Sequence, residues 1–317
     1  GYIRSDKQKE DLNDLVLSEL HLIANNSYQG FEAQKLHLLF QATYYLNSGN
    51  YKSAIRYYQE LINLFNDNQH LILNPPIYYL SAIQGILDSL CIAGLYHETP
   101  FFLSKLEELT QNEYSTEFIL HLKTLIYIYK SNSLLQAGNF EQALELRDKQ
   151  ENELLKKVTS LGLESQLRLY LSFAVLGMYT KDYVQARKYM KKIFSLGKLF
   201  CAFPSYKIAR LVNLLLQAEL GNYDFFENEI ISIKRNIRFE KQTYITEKLI
   251  FKFIQGYPLP SYEKARNKRW LQYQKDIQKI EQDKYERQLL KTFDVLAWIE
   301  SKLTQRSLAD IFIEKAH

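Results

Sequence analysis

Gly49-Asn50-Tyr51-Lys52-Ser53-Ala54 is the stretch on which the reading of this chain turns. Glycine reaches the left-handed conformation that ends a helix at no Cβ cost, and an asparagine after it can cap the helix that follows. The aromatic then wedges between the two helices, and the small residue three positions later lets their backbones approach. The same order returns at Gly138-Asn139-Phe140 and Gly221-Asn222-Tyr223, with looser copies at Gly94-Leu95-Tyr96 and Lys181-Asp182-Tyr183. Successive corners stand 45, 44, 43 and 40 residues apart. Apolar helical segments flank each one, and self-similarity at such a period denotes helix pairs that bury their faces against neighbours.

Working outward, the spacing predicts paired helices over 31–46 and 51–65, 76–93 and 96–109, 118–136 and 140–158, 163–179 and 183–196, and 204–220 and 223–237. An amphipathic helix is expected over 12–23, and another over 244–254 before Gly256-Tyr257-Pro258-Leu259-Pro260. Asn74-Pro75-Pro76 and Pro204 read as helix starts, because proline is tolerated in a first turn. The small residue is Ala54, Ala143 and Ala186 after the first, third and fourth corners; Thr99 and Phe226 replace it after the second and fifth. Beyond the loop, Tyr262, Ala265, Tyr273, Ile277, Ile280, Leu289, Phe293 and Leu296 recur at steps that predict one long amphipathic helix. Ser307 with Asp310 has the form of a capping box for a final helix ending near Ala316.

The hexapeptides 49–54 and 138–143 resemble the turn of tetratricopeptide repeats, and Ala42, Tyr45, Tyr170, Phe173 and Ala174 match further positions of that pattern. The resemblance spans about residues 31–238. The period here exceeds that family's 34 by about ten residues, and the proline that usually closes each repeat is missing. The resemblance implies an all-α, right-handed α-solenoid of about five TPR-like helix pairs over residues 1–255. A helical C-terminal extension over 256–317 would then pack on the last repeat. In such proteins the first helix of each pair lines the concave surface. Counting back from the corners puts Thr43, Asn47, Gln84, Asp88, Asn132, Gln136, Arg168 and Tyr179 on that face. Amides, a carboxylate and a guanidinium suit the backbone and side chains of an extended peptide or partner helix. The implied function is a non-catalytic protein–protein interaction scaffold.

Composition agrees with a large helical core and supplies no chemistry. The chain has 317 residues, 46% hydrophobic and 14% aromatic, with 11 Gly, 6 Pro and 24 Tyr. Cys91 and Cys201 are too few for a disulfide scaffold and read as buried thiols. His21, His37, His70, His97, His121 and His317 show no metal-ligand spacing, and no phosphate-cradling or nucleophile motif occurs. No cofactor or enzymatic activity is expected. No apolar run reaches the length of a membrane span, and the charged start from Arg4 to Asp11 lacks a signal-peptide core. A cytoplasmic location is therefore expected.

One region stands apart in charge. Residues 234–291 hold fifteen Lys or Arg against seven Asp or Glu, a local +8 in a chain of net +4, so the remainder carries −4. The densest part contains Lys264, Arg266, Lys268 and Arg269 beside Trp270 and Tyr273. Basic residues interleaved with aromatics can hold phosphates and stack bases, which makes a nucleic-acid partner the alternative reading.

Overall fold

In the computed structural model all five corners take the left-handed turn that the sequence called for. The φ angles are 76° at Gly49, 77° at Gly94, 76° at Gly138, 62° at Lys181 and 74° at Gly221. At the first corner the Asn50 amide donates to the Tyr45 carbonyl at 2.9 Å and the Gly49 amide to the Leu46 carbonyl at 3.3 Å. These two bonds satisfy carbonyls that a helix end would otherwise leave without partners. The same pair of bonds recurs at Gly94, Gly138 and Gly221. Asn50 and Asp182 then cap the following helices, accepting from the Ser53 and Gln185 amides. Asn139 makes no such bond, and Asn222 turns instead to Gln217.

The structure describes residues 7–10, 12–13, 30–72, 74–197, 203–240 and 244–316, without the side chains of 227, 235–240 and 316. Most of the helix expected over 12–23 lies outside these residues, as do Cys201, His21 and His317. Among the described residues the fold is all-helical, with no strand, and each helix packs against its neighbours. The chain divides into two compact units, Gly1–Ile119 and Leu120–His317.

The first unit holds α1 (Phe31–Asn47), α2 (Tyr51–Asp67), α3 (Ile77–Ala93) and α4 (Thr99–Leu109). Its core runs from Ala42 and Ala54 through Leu61, Ile62 and Phe65 to Ile83, Leu87 and Leu106. The Tyr58 ring lies over Gly85, where an added Cβ would come within 2.2 Å of it.

The unit boundary falls inside α5 (Thr116–Gln136). Then follow α6 (Phe140–Lys156), α7 (Leu163–Tyr179), α8 (Tyr183–Ser195), α9 (Pro204–Glu219), α10 (Asp224–Glu240) and α11 (Ile245–Ile254). The chain ends in α12 (Glu263–Gln282), α13 (Arg287–Leu290), α14 (Val295–Thr304) and α15 (Leu308–Ala316). The first helices of successive pairs, α7, α9 and α11, lie side by side, while α8 packs on α7 and α9. Ala143 and Ala186 are fully buried. A Cβ on Gly177 would meet the Ala186 amide at 2.9 Å, so α7 and α8 approach as closely as the small residues allow.

The long amphipathic helix expected from 262 to 296 is a correction. The structure breaks it into α12, α13 and α14, because the Asp283 carboxylate takes the Tyr285 amide at 2.7 Å and Asp294 starts a fresh helix by accepting from Ala297. Asp and Asn compete with helix by binding nearby backbone in this way. The buried half of the expected stripe holds: Tyr273, Ile277, Ile280, Leu289, Phe293 and Leu296 are in the core. Tyr262 and Ala265 are exposed.

The fragments after 282 pack into the second unit. Trp298 is fully buried, edge-on to Phe253 of α11 at 5.7 Å and 6.4 Å from Phe293. Glu286 is also buried; it accepts the Ile245 and Thr246 amides at 2.5 and 3.0 Å and so caps α11 from forty residues away. Burial pushes the Glu286 carboxyl above its ordinary range, and the bonds from Thr246 and Ile245 oppose that shift.

Candidate functional site

In the first unit the stripe is built from two helices. On α1, Leu36, Phe40, Thr43 and Asn47 follow at steps of four, three and four, which places them on one helical face. On α3, Ile77, Ser81, Gln84 and Asp88 repeat the same steps. Leu36 and Ile77 are about half exposed, at 54% and 55%, and Phe40 at 42%. Each stripe is therefore apolar at its start and polar toward its corner. The polar ends meet at Tyr58: Thr43 Oγ1 lies 3.4 Å from its hydroxyl, and Asp88 is close enough to act on its charge. Burial raises the Tyr58 hydroxyl above its ordinary pKa; the Thr43 bond lowers it and the Asp88 charge raises it. Asn47 donates to the Thr43 carbonyl at 2.8 Å. Gln84 and Asp88 are half-buried.

In the second unit the same face meets the chain itself. Asn132 Nδ2 donates to the Lys291 carbonyl at 3.2 Å, and the Tyr179 hydroxyl accepts the Asp294 amide at 2.6 Å. The Tyr179 ring stacks on Phe293 at 5.0 Å and on Phe140 at 6.1 Å, with Phe312 edge-on at 5.3 Å. A Cβ on Gly138 would stand 2.9 Å from the Ala309 carbonyl, so α15 is seated on the third corner. Arg168 donates to the Tyr129 hydroxyl at 3.1 Å, and its guanidinium lies 5.6 Å from that ring. Beside it His121 faces Ser165 Oγ at 3.3 Å. Burial, with the Arg168 charge added, holds the His121 imidazole below its ordinary pKa. Gln136 is half-buried on the same helix as Asn132.

No family model, curated protein or solved structure matches the chain. Its surfaces must therefore be read from their own chemistry.

The four basic residues singled out in 264–269 separate in the structure. Arg266 is buried and donates to the Pro260 and Ser261 carbonyls at 3.1 and 2.6 Å. Arg269 donates to the Gly256 carbonyl at 2.8 Å. These two guanidinium groups tie down the Gly256–Ser261 loop at the start of α12, and only Lys264 and Lys268 are exposed. The exposed positives instead form a stripe on α12: Lys264, Lys268, Lys275 and Lys279 share one face.

Sequence reasoning missed the polar centre of the second unit. Glu219 accepts from the Tyr183 hydroxyl at 2.6 Å, the Tyr257 hydroxyl at 2.9 Å and Lys302 Nζ at 2.5 Å. Burial first, and the Glu219 carboxylate with it, push both tyrosine hydroxyls far above their ordinary pKa. The four residues come from four separate helices and loops, with no shared local spacing. Tyr183, as a corner aromatic, was the one visible sign. Among the described residues no His, Cys, Asp and Glu cluster could hold a metal ion, and no helix is long and apolar enough to cross a membrane.

Proposed function

We propose that the chain is a helical-repeat interaction scaffold, a right-handed TPR-like solenoid that holds a peptide or partner helix against the first helices of its pairs. One observation carries this reading. Asn132 and Tyr179, two residues assigned to the ligand face from the sequence, hold main-chain atoms of residues 291–294, with aromatic side chains packed around them. An amide to a carbonyl, a hydroxyl to an amide, and rings between them are the contacts by which a groove grips polypeptide. In the second unit the chain supplies that polypeptide itself. On the first unit the corresponding face, with Leu36, Phe40, Thr43, Asn47, Gln84 and Asp88, is the surface for a partner in trans.

The test uses peptides selected from a random display library on the full chain. Phe40→Glu combined with Asp88→Lys should weaken the selected peptides by roughly tenfold or more, about 1.4 kcal/mol, with the helical circular dichroism unchanged. Undiminished binding would remove the first unit's face from the reading.

The lysine stripe of α12 favours a second reading, association with nucleic acid. Duplex binding through Lys264, Lys268, Lys275 and Lys279 should then fall with salt at a log–log slope of about −0.9 per phosphate contact. Lys264→Glu with Lys268→Glu should flatten that slope, and an unaltered slope would exclude the stripe.

A further inference from the structure

The groups on α12 that could read or stack bases are turned away from solvent. Its two arginines, the residues suited to gripping a guanine edge, are spent on carbonyls of the Gly256–Ser261 loop. Tyr273 is buried, and Trp270 packs against the core. The stacking platform that single strands need is therefore missing from this helix.

What stays outside is charge. Lys264, Lys268, Lys275 and Lys279 are exposed, and none of the four is held by a carboxylate among the described residues. Asp276 of the same helix is taken by Lys252 at 3.7 Å. Glu263 and Glu281 stand about 100° or more round the helix from the stripe. The lysines come as two pairs. At a rise of about 1.5 Å per residue, about 6 Å separates the members of each pair, and about 10 Å separates Lys268 from Lys275. Leu271, 63% exposed, stands between the pairs.

We infer that, on the nucleic-acid reading of this stripe, its partner is double-stranded DNA in the B form, gripped by phosphate alone and without regard to sequence. Two pairs of cations about 10 Å apart match the phosphate walls of a major groove about 12 Å wide. Lysine meets phosphate as a point charge and carries no base information. From a helix lying across the groove, Leu271 and the flanking Gln272 and Gln274 are too short to reach a floor about 8.5 Å down. Duplex RNA fits poorly, because its major groove is deep and narrow.

Fluorescence anisotropy of the full chain with four labelled probes of one length tests this: two DNA duplexes of unrelated sequence, one of their single strands, and the matching RNA duplex. The two DNA duplexes should bind within about twofold of each other. The single strand and the RNA duplex should bind at least roughly fivefold more weakly. The log–log salt slope on DNA should approach about −3.6, four contacts at about −0.9 each. Lys268→Ala with Lys275→Ala should bring it to about −1.8, with the helical circular dichroism unchanged. Leu271→Gln should leave duplex binding as it is. A sequence preference, or equal binding of the single strand or the RNA duplex, would overturn the duplex assignment and leave the nucleic-acid reading standing. Failure of all four probes to bind would remove that reading and the duplex assignment with it. Capture by phosphatidylserine vesicles that Leu271→Gln abolishes, with no duplex binding, would give the face to lipid instead.

Discussion

The first-helix face is built by the same corner in both units, yet it ends up covered in one and open in the other. In the second unit Asn132 and Tyr179 are bonded to the backbone at Lys291 and Asp294, and Phe293, Phe312 and Trp298 lie in the core. In the first unit Leu36, Phe40 and Ile77 stay in contact with solvent, while Ile83, Leu87 and Leu90 of α3 are fully buried. A repeat unit therefore fixes how two helices meet and leaves free what lies on their outer face. The covering depends on whether another segment carries aromatics and backbone groups at the right places.

Three substitutions test that difference, in falling order of effect. Trp298→Ala removes the largest fully buried side chain of the covering segment, and should lower stability by about 3–5 kcal/mol in denaturant unfolding. A loss below about 1 kcal/mol would mean that the segment is only loosely seated. Tyr179→Phe keeps the ring stack but leaves the Asp294 amide without its acceptor, at a cost of about 1–3 kcal/mol. The matching change on the open face, Phe40→Ser, should stay within about 0.5 kcal/mol. Equal costs at the two sites would erase the contrast.

The smallest effect is a pH dependence. The His121 imidazole is held below its ordinary pKa of 6.5, so the folded protein takes up that proton less readily than the unfolded chain. Between the folded and unfolded pKa values the unfolded state binds more protons, and stability falls as the pH drops through 6.5. Urea midpoints at about pH 7.5 and 5.5 should differ in that direction, and His121→Gln should narrow the difference. A midpoint that rises on acidification would contradict the burial of this ring.

Much of the local structure was legible because it depends on one or two residues at a time. The helix expected over 163–179 is α7, and the alanines three residues after three of the corners are fully buried. The continuous helix over 262–296 was misread, because its apolar steps run on through a place where Asp283 prefers to bind the Tyr285 amide. Periodicity registers the buried face and is blind to such a competing local bond. Arg266 and Arg269 were misread for a different reason. In sequence they belong to a basic cluster, and only the returning Gly256–Ser261 loop supplies the carbonyls that claim them.

The sequence alone determined the corners, the helix pairs and their near-regular spacing, since a left-handed turn and an amphipathic face are properties of neighbours along the chain. Tertiary structure alone decided that Asn132 meets Lys291, that Tyr179 meets Asp294, that Glu219 gathers Tyr183, Tyr257 and Lys302, and that Lys181 and Gln305 face one cleft. Those partners stand from 36 to 159 residues apart. Contacts across such separations are set by how whole helices pack, and no pattern among adjacent residues records them.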